Sequence, residues 1–113
     1  MGYYTFRLLV ALFGGTFDPI HEGHLTVARE ARRAFALDRV LLVPNNRPPH
    51  KQGGAQASYA DRVAMAEIAC AAEPGCEVSR LEEGTERSYT IETLLKVRQT
   101  MASGDRLFFI IGA

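Results

Sequence analysis

Two histidines, His21 and His24, stand three residues apart in the stretch GGTFDPIHEGH, residues 14–24. At that spacing around a first helical turn they share one side. Gly14, Gly15 and Thr16 precede them. Glycines let a ligand come close to the backbone, because no Cβ stands in the way. Free N–H groups at a helix start, together with the helix dipole, favour anions. Imidazoles can donate hydrogen bonds to charge growing on phosphoryl oxygens. The combination predicts a phosphate site, to which Thr16 adds a hydroxyl. Asp18–Pro19 reads as the turn rather than as chemistry. The plain alternative is a helix start that happens to carry two histidines.

Other chemistries fit less well. Neither a P-loop nor a dinucleotide fingerprint is present. No Ser or Cys nucleophile sits in a plausible elbow. Zinc would need third and fourth ligands, and only His50 and the cysteines offer themselves, so no metal centre of the protein's own is expected. Cys70 falls in an Ala-rich helical stretch and Cys76 opens a strand, which predicts two reduced cysteines.

The elements that must position these residues alternate between strand and helix. RLLVALF, residues 7–13, is a continuous apolar run, as a strand buried on both faces would be. Residues 22–36 are helical, with Leu25, Ala28, Ala31 and Phe35 near one face and arginines on the other. RVLLVP at 39–44 is the second strand. Residues 45–57 form a loop with two prolines and two glycines, at about thirteen residues of a length that is usually functional or disordered. Ser58 caps the next helix, which runs to about Glu73, with Asp61 in the capping-box position. CEVSRL at 76–81 is a third strand, EEGTERS a loop, and Tyr89 to Met101 a helix. RLFFII at 106–111 is a fourth strand, apolar on both faces.

This order implies an α/β domain with a mostly parallel sheet. Ligands of such sheets bind beyond the carboxyl ends of the strands. The candidate residues lie at those ends: Gly14–His24, Pro44–Lys51, Leu81–Thr90 and Gly112–Ala113. The last strand needs cover on both faces, yet the sequence stops two residues later. A fold truncated after the fourth strand, or one completed by a partner, is the expectation.

Composition narrows the function classes. The 113 residues carry 13 Lys+Arg and 13 Asp+Glu, so no basic field favours nucleic acid or a membrane surface. No window approaches the ~20 apolar residues of a membrane span. The N-terminus shows no cleavage site of a signal peptide, so a cytoplasmic location is expected.

GGTFDPIHEGH resembles the signature of the nucleotidylyltransferase superfamily. VPNNRPPHK at 43–51, ERSYTIETL at 86–94 and FFIIGA at 108–113 resemble further motifs of the bacterial nicotinate-nucleotide adenylyltransferase family, in order along the chain. The resemblance implies a Rossmann-like fold with helices on both faces of the sheet. It implies adenylyl transfer from ATP to nicotinate mononucleotide, with Mg²⁺ bound to the ATP. Gly14, Gly15, Thr16 and Phe17 would line the ATP side through backbone, and His21 and His24 would contact its phosphates. Lys51 would hold the acceptor's phosphate. Tyr89 and Thr90 would frame the nicotinate, and Asn45 and Asn46 would shape the loop. The family's IIG run continues into an aspartate, and later into a Ser/Thr-rich segment ending in arginine; neither follows here. Two alternatives remain open. One is a sibling enzyme such as pantetheine-phosphate adenylyltransferase. The other is a catalytically silent nucleotide-binding fragment.

Overall fold

The computed structural model describes residues 7–46, 57–83 and 90–110, with only the backbone considered at 90–94. The element order is β1 (Leu9–Gly15), α1 (Glu22–Ala34), β2 (Arg39–Pro44), α2 (Tyr59–Ala71), β3 (Cys76–Val78), α3 (Thr90–Gln99) and β4 (Arg106–Ile110). The strands form one sheet in the order β3-β2-β1-β4. Every pairing is parallel. The chain therefore lays β2 and β3 to one side of β1 and β4 to the other. The reversal of strand order falls between β1 and β4, where sheets of this kind open a crevice beyond the strand ends.

The strands are apolar on both faces because both faces are covered. Ala11, Phe13, Val40 and Leu42 point to the side of α1 and α2, where they meet Ala28, Ala66 and Cys70. Leu12 and Val43 point the other way, to Val97 of α3. In β4 the alternation continues, with Phe108 and Ile110 on the first side and Leu107 and Phe109 on the second. Helices on both faces of a parallel sheet are the architecture expected from the sequence. Among the described residues no helix is long and apolar enough to cross a membrane.

Four local readings change. The first strand runs through Gly15 rather than stopping at Phe13, because Gly14 and Gly15 still pair with Val43 and Pro44. The third strand is shorter than 76–81, since β3 is outermost and pairs with β2 only from Cys76 to Val78. Phe35 is 57 % exposed rather than core. Helix α1 ends before it, and Ala36 turns the chain at φ 51 so that the Leu37 N–H reaches the Arg32 carbonyl at 2.9 Å. This is the left-handed C-terminal turn that glycine normally fills. Finally, Cys70 and Cys76 are joined as a disulfide instead of standing as two reduced thiols. The turn through Gly75, at φ 74, folds β3 back along α2. It brings the two Cα atoms to 5.2 Å, inside the span a disulfide bridges.

Candidate functional site

Strand β1 delivers two glycines to the sheet's carboxyl edge, and the chain then turns into α1. Phe17 adopts φ 51 in that turn and is only 2 % exposed. Its ring lies so close to Gly15 that a Cβ there would sit 3.1 Å from Cζ. The missing side chain at Gly15 thus makes room for Phe17 to tuck beneath the turn. From there Phe17 packs edge-on against Phe13 at 5.4 Å and against the His24 ring at 5.0 Å between centroids. Asp18 accepts the Ala57 N–H at 3.2 Å, which ties the turn to the segment before α2.

The two histidines form the N-terminal cap of α1. His21 is the N-cap residue, with extended backbone, and its Nδ1 accepts the Gly23 N–H at 3.0 Å. His24 Nδ1 accepts the His21 N–H at 3.0 Å in return. This is a capping box built from two imidazoles in place of Ser/Thr and Glu. The rings stack, with centroids 3.8 Å apart and planes 26° from parallel. Gly23 is required between them, because a Cβ there would lie 2.8 Å from His21 Cε1 and 2.9 Å from Nδ1.

The cap fixes the chemistry of both rings. A backbone N–H can only donate, so an Nδ1 that accepts one carries no proton. Each neutral imidazole is therefore held as the Nε2–H tautomer, and its remaining donor is free for a ligand. Burial, and next the neighbouring His21, lower the His24 pKa below the usual histidine range. His24 is accordingly neutral at pH 7.

One expectation needs correction. The helix start does not present the Gly23 and His24 N–H groups to an anion as free donors. Gly23 N–H goes to His21 Nδ1, and the N–H groups of His24 and Leu25 go to the His21 carbonyl at 3.0 and 3.3 Å. The two imidazoles occupy the cap of α1 instead. Backbone N–H groups polarise each Nδ1, and Nε2–H passes the positive end onward.

The end of β2 lies beside this turn. The Asn45 N–H donates to the Gly15 carbonyl at 2.9 Å, and its side-chain Nδ2 donates to Thr16 Oγ1 at 3.0 Å. Asn46 follows, half-buried, at the same strand end. The structure thus brings Gly14, Gly15, Thr16, Phe17, His21, His24, Asn45 and Asn46 to one edge of the sheet. Lys51, Tyr89 and the Gly112–Ala113 end lie outside the described residues. Thr90 is the first described residue of α3.

Arg62 is the site neighbour that sequence reasoning passed over. It is 0 % exposed, and its guanidinium reaches the ends of both β1 and β2. Its register carried a signal: Arg62, Ala66 and Cys70 recur every fourth residue on the buried face of α2. Among the described residues no three His, Cys, Asp or Glu side chains converge as a metal site.

The cytidylyltransferase-like family model matches residues 12–113. The chain is 62 % identical over 104 residues to a probable nicotinate-nucleotide adenylyltransferase of Solibacter usitatus, covering 92 % of this chain and 55 % of that protein. It is 47 % identical over 104 residues to the protein of the same description from Pseudomonas aeruginosa strain UCBPP-PA14, covering 91 % and 48 %. The chain spans about half the length of the curated relatives it matches. Its fold is similar to that of Plasmodium falciparum nicotinic acid mononucleotide adenylyltransferase. The structure complexed with NaAD gives a TM-score of 0.74 at 17 % identity, covering 91 % of this chain and 51 % of that one. The structure complexed with APC gives 0.72 at 17 % identity, covering 91 % and 50 %.

Proposed function

The chain belongs to the cytidylyltransferase-like family, and we propose that its protein transfers the adenylyl group of ATP to nicotinate mononucleotide. The products are nicotinate adenine dinucleotide and pyrophosphate. The observation that carries the reading is the imidazole capping box at the start of α1, which engages Nδ1 of both histidines and leaves each an Nε2–H donor. The names of the relatives supply the acceptor.

The reaction needs no covalent intermediate with the protein. A phosphate oxygen of the mononucleotide attacks the α-phosphorus of ATP, a new P–O bond forms, and the bond to the bridging α–β oxygen breaks as pyrophosphate leaves. The protein's work is alignment and charge stabilisation. Gly14 and Gly15 carry the backbone at the end of β1 along the triphosphate. His21 and His24 donate through Nε2–H to its phosphate oxygens, where negative charge grows in the pentacoordinate transition state. Thr16 adds its hydroxyl. Asn45, Asn46, Lys51, Tyr89 and Thr90 are assigned to the acceptor by the resemblance of their motifs to those of the family. Mg²⁺ would arrive with ATP, held by its phosphates, and would neutralise charge there. The reading implies a cytoplasmic enzyme of NAD synthesis.

The test is pyrophosphate release by the full-length protein given Mg²⁺, ATP and one acceptor at a time. Turnover with nicotinate mononucleotide and not with phosphopantetheine is expected. Turnover with phosphopantetheine alone would replace the acceptor, and none with any acceptor would defeat the reading.

A further inference from the structure

A fully buried arginine stands directly behind the phosphate-facing turn. Arg62 Nη1 donates to the Thr16 carbonyl at 2.8 Å, to the Asn45 carbonyl at 2.8 Å, and at 3.4 Å to Asn45 Oδ1. Its Nε donates to the Ala57 carbonyl at 3.2 Å, and its Cζ lies 5.8 Å from the centre of the Tyr59 ring. An apolar side chain of similar length would fill this space at a lower desolvation cost. What the guanidinium adds is direction. It clamps together two backbone carbonyls just past the ends of β1 and β2. Its longer, shared contact at 3.4 Å favours an Asn45 amide with Oδ1 toward the guanidinium.

That orientation has a chemical result. With Asn45 Oδ1 toward Arg62, Nδ2 points to Thr16 and donates to Oγ1. The Thr16 hydroxyl accepts that bond, so its own proton remains to be donated elsewhere. Thr16 is exposed at the carboxyl edge of the sheet. A polarised chain runs from the buried cation through the Asn45 amide to an outward O–H, and each link strengthens the next.

We propose that Arg62 is a positioning residue for the nucleotide's phosphates, acting through Asn45 to set the Thr16 hydroxyl as a donor to them. This rests on the reading of the site as an ATP site. The residue itself touches no ligand. Its influence passes through one hydroxyl, which separates it from a side chain that merely holds the fold.

A double-mutant cycle reads that difference. ATP affinity is measured by calorimetry on the full-length protein and on Arg62→Met, Thr16→Val and the double variant, with thermal unfolding followed in parallel. Thr16→Val should weaken ATP binding about tenfold, the worth of one hydrogen bond to a charged group. Arg62→Met should weaken it about tenfold in the native background and less than about twofold in the Thr16→Val background, where the hydroxyl is already gone. Equal losses in both backgrounds would overturn the proposal. Should Arg62→Met not fold, Arg62→Lys takes its place in the cycle, because it keeps the charge and loses the paired contacts of the guanidinium to Thr16 and Asn45. The same coupling is expected, and additivity there is equally fatal. Pyrophosphate release is followed alongside. A protein that binds ATP with the coupled cycle yet transfers nothing to nicotinate mononucleotide would overturn the functional reading and leave the relay standing. A native protein that binds no ATP would overturn both.

Discussion

Replacing Gly23 with alanine separates the cap's two duties. The added Cβ would lie 2.8 Å from His21 Cε1 and 2.9 Å from Nδ1, closer than such atoms approach. The His21 ring must swing away, because the Gly23 backbone is fixed within α1. Its bond to the Gly23 N–H is lost, and so is its stack on His24. Loss of a cap costs about 1 kcal/mol. Alanine in a helix recovers about 0.5–1 kcal/mol over glycine. The two nearly cancel, so the melting temperature should move by no more than about 4 °C. Activity has no such offset. One Nε2–H donor leaves the phosphate site, and removal of a donor of this kind costs about 10²–10³ in turnover. The assay is pyrophosphate release by the full-length protein beside a thermal melt. Turnover within about threefold of the native protein, at an unchanged melting temperature, would show that the imidazole geometry does not serve catalysis.

The same geometry carries further expectations. His24 should titrate below the usual histidine range in an NMR pH series, because burial and His21 favour its neutral form. The folded pKa lies under the unfolded one, so this neutral histidine costs no stability above the unfolded pKa, and stability is lost as pH falls through that value toward the folded one; a midpoint at or above the usual range would contradict the burial argument. Leu12→Ala, at a 0 % exposed position of the central strand, should cost about 2–5 kcal/mol in urea unfolding, and a loss under about 1 kcal/mol would mean that this face of the sheet is loosely packed. Ala36→Gly should stabilise by about 0.5–1 kcal/mol, since Ala36 holds φ 51 at a position that favours glycine; a destabilised variant would refute that conformation.

The strands were legible because burial on both faces leaves an unbroken apolar run, as in RVLLVP and RLFFII. The start of α1 was legible from the histidine spacing, but the division of labour within it was not. Serine and aspartate advertise a cap; histidine does not, so His21 read as a ligand-facing residue only and the helix N–H groups read as free. Arg62 was missed for a related reason. An arginine on a helix reads as solvated surface, and only the carbonyls of Thr16 and Asn45, brought from two other elements, give a buried cation its partners. The disulfide depended on a turn geometry at Gly75 that cysteine spacing alone does not reveal. Each missed feature joins groups far apart in sequence or relies on an unusual role for a common residue.

Strand β1 is met by partners from very different distances along the chain. The Leu9 N–H bonds the Asp38 carboxylate across 29 residues, whereas the Leu8 N–H bonds the Asp105 carboxylate across 97. Closing the longer loop costs about 1 kcal/mol more in chain entropy. Pairings between distant segments are slower to form than pairings between near ones. The turn, the Asn45 link and the Arg62 clamp all belong to the β1-β2-α2 half, whose contacts at Thr16 span 29 and 46 residues rather than 97. Assembly of the phosphate-facing edge therefore does not wait for β4. Transient opening of that outermost described strand would uncover Phe108 and Phe109 and leave the capped histidines in place.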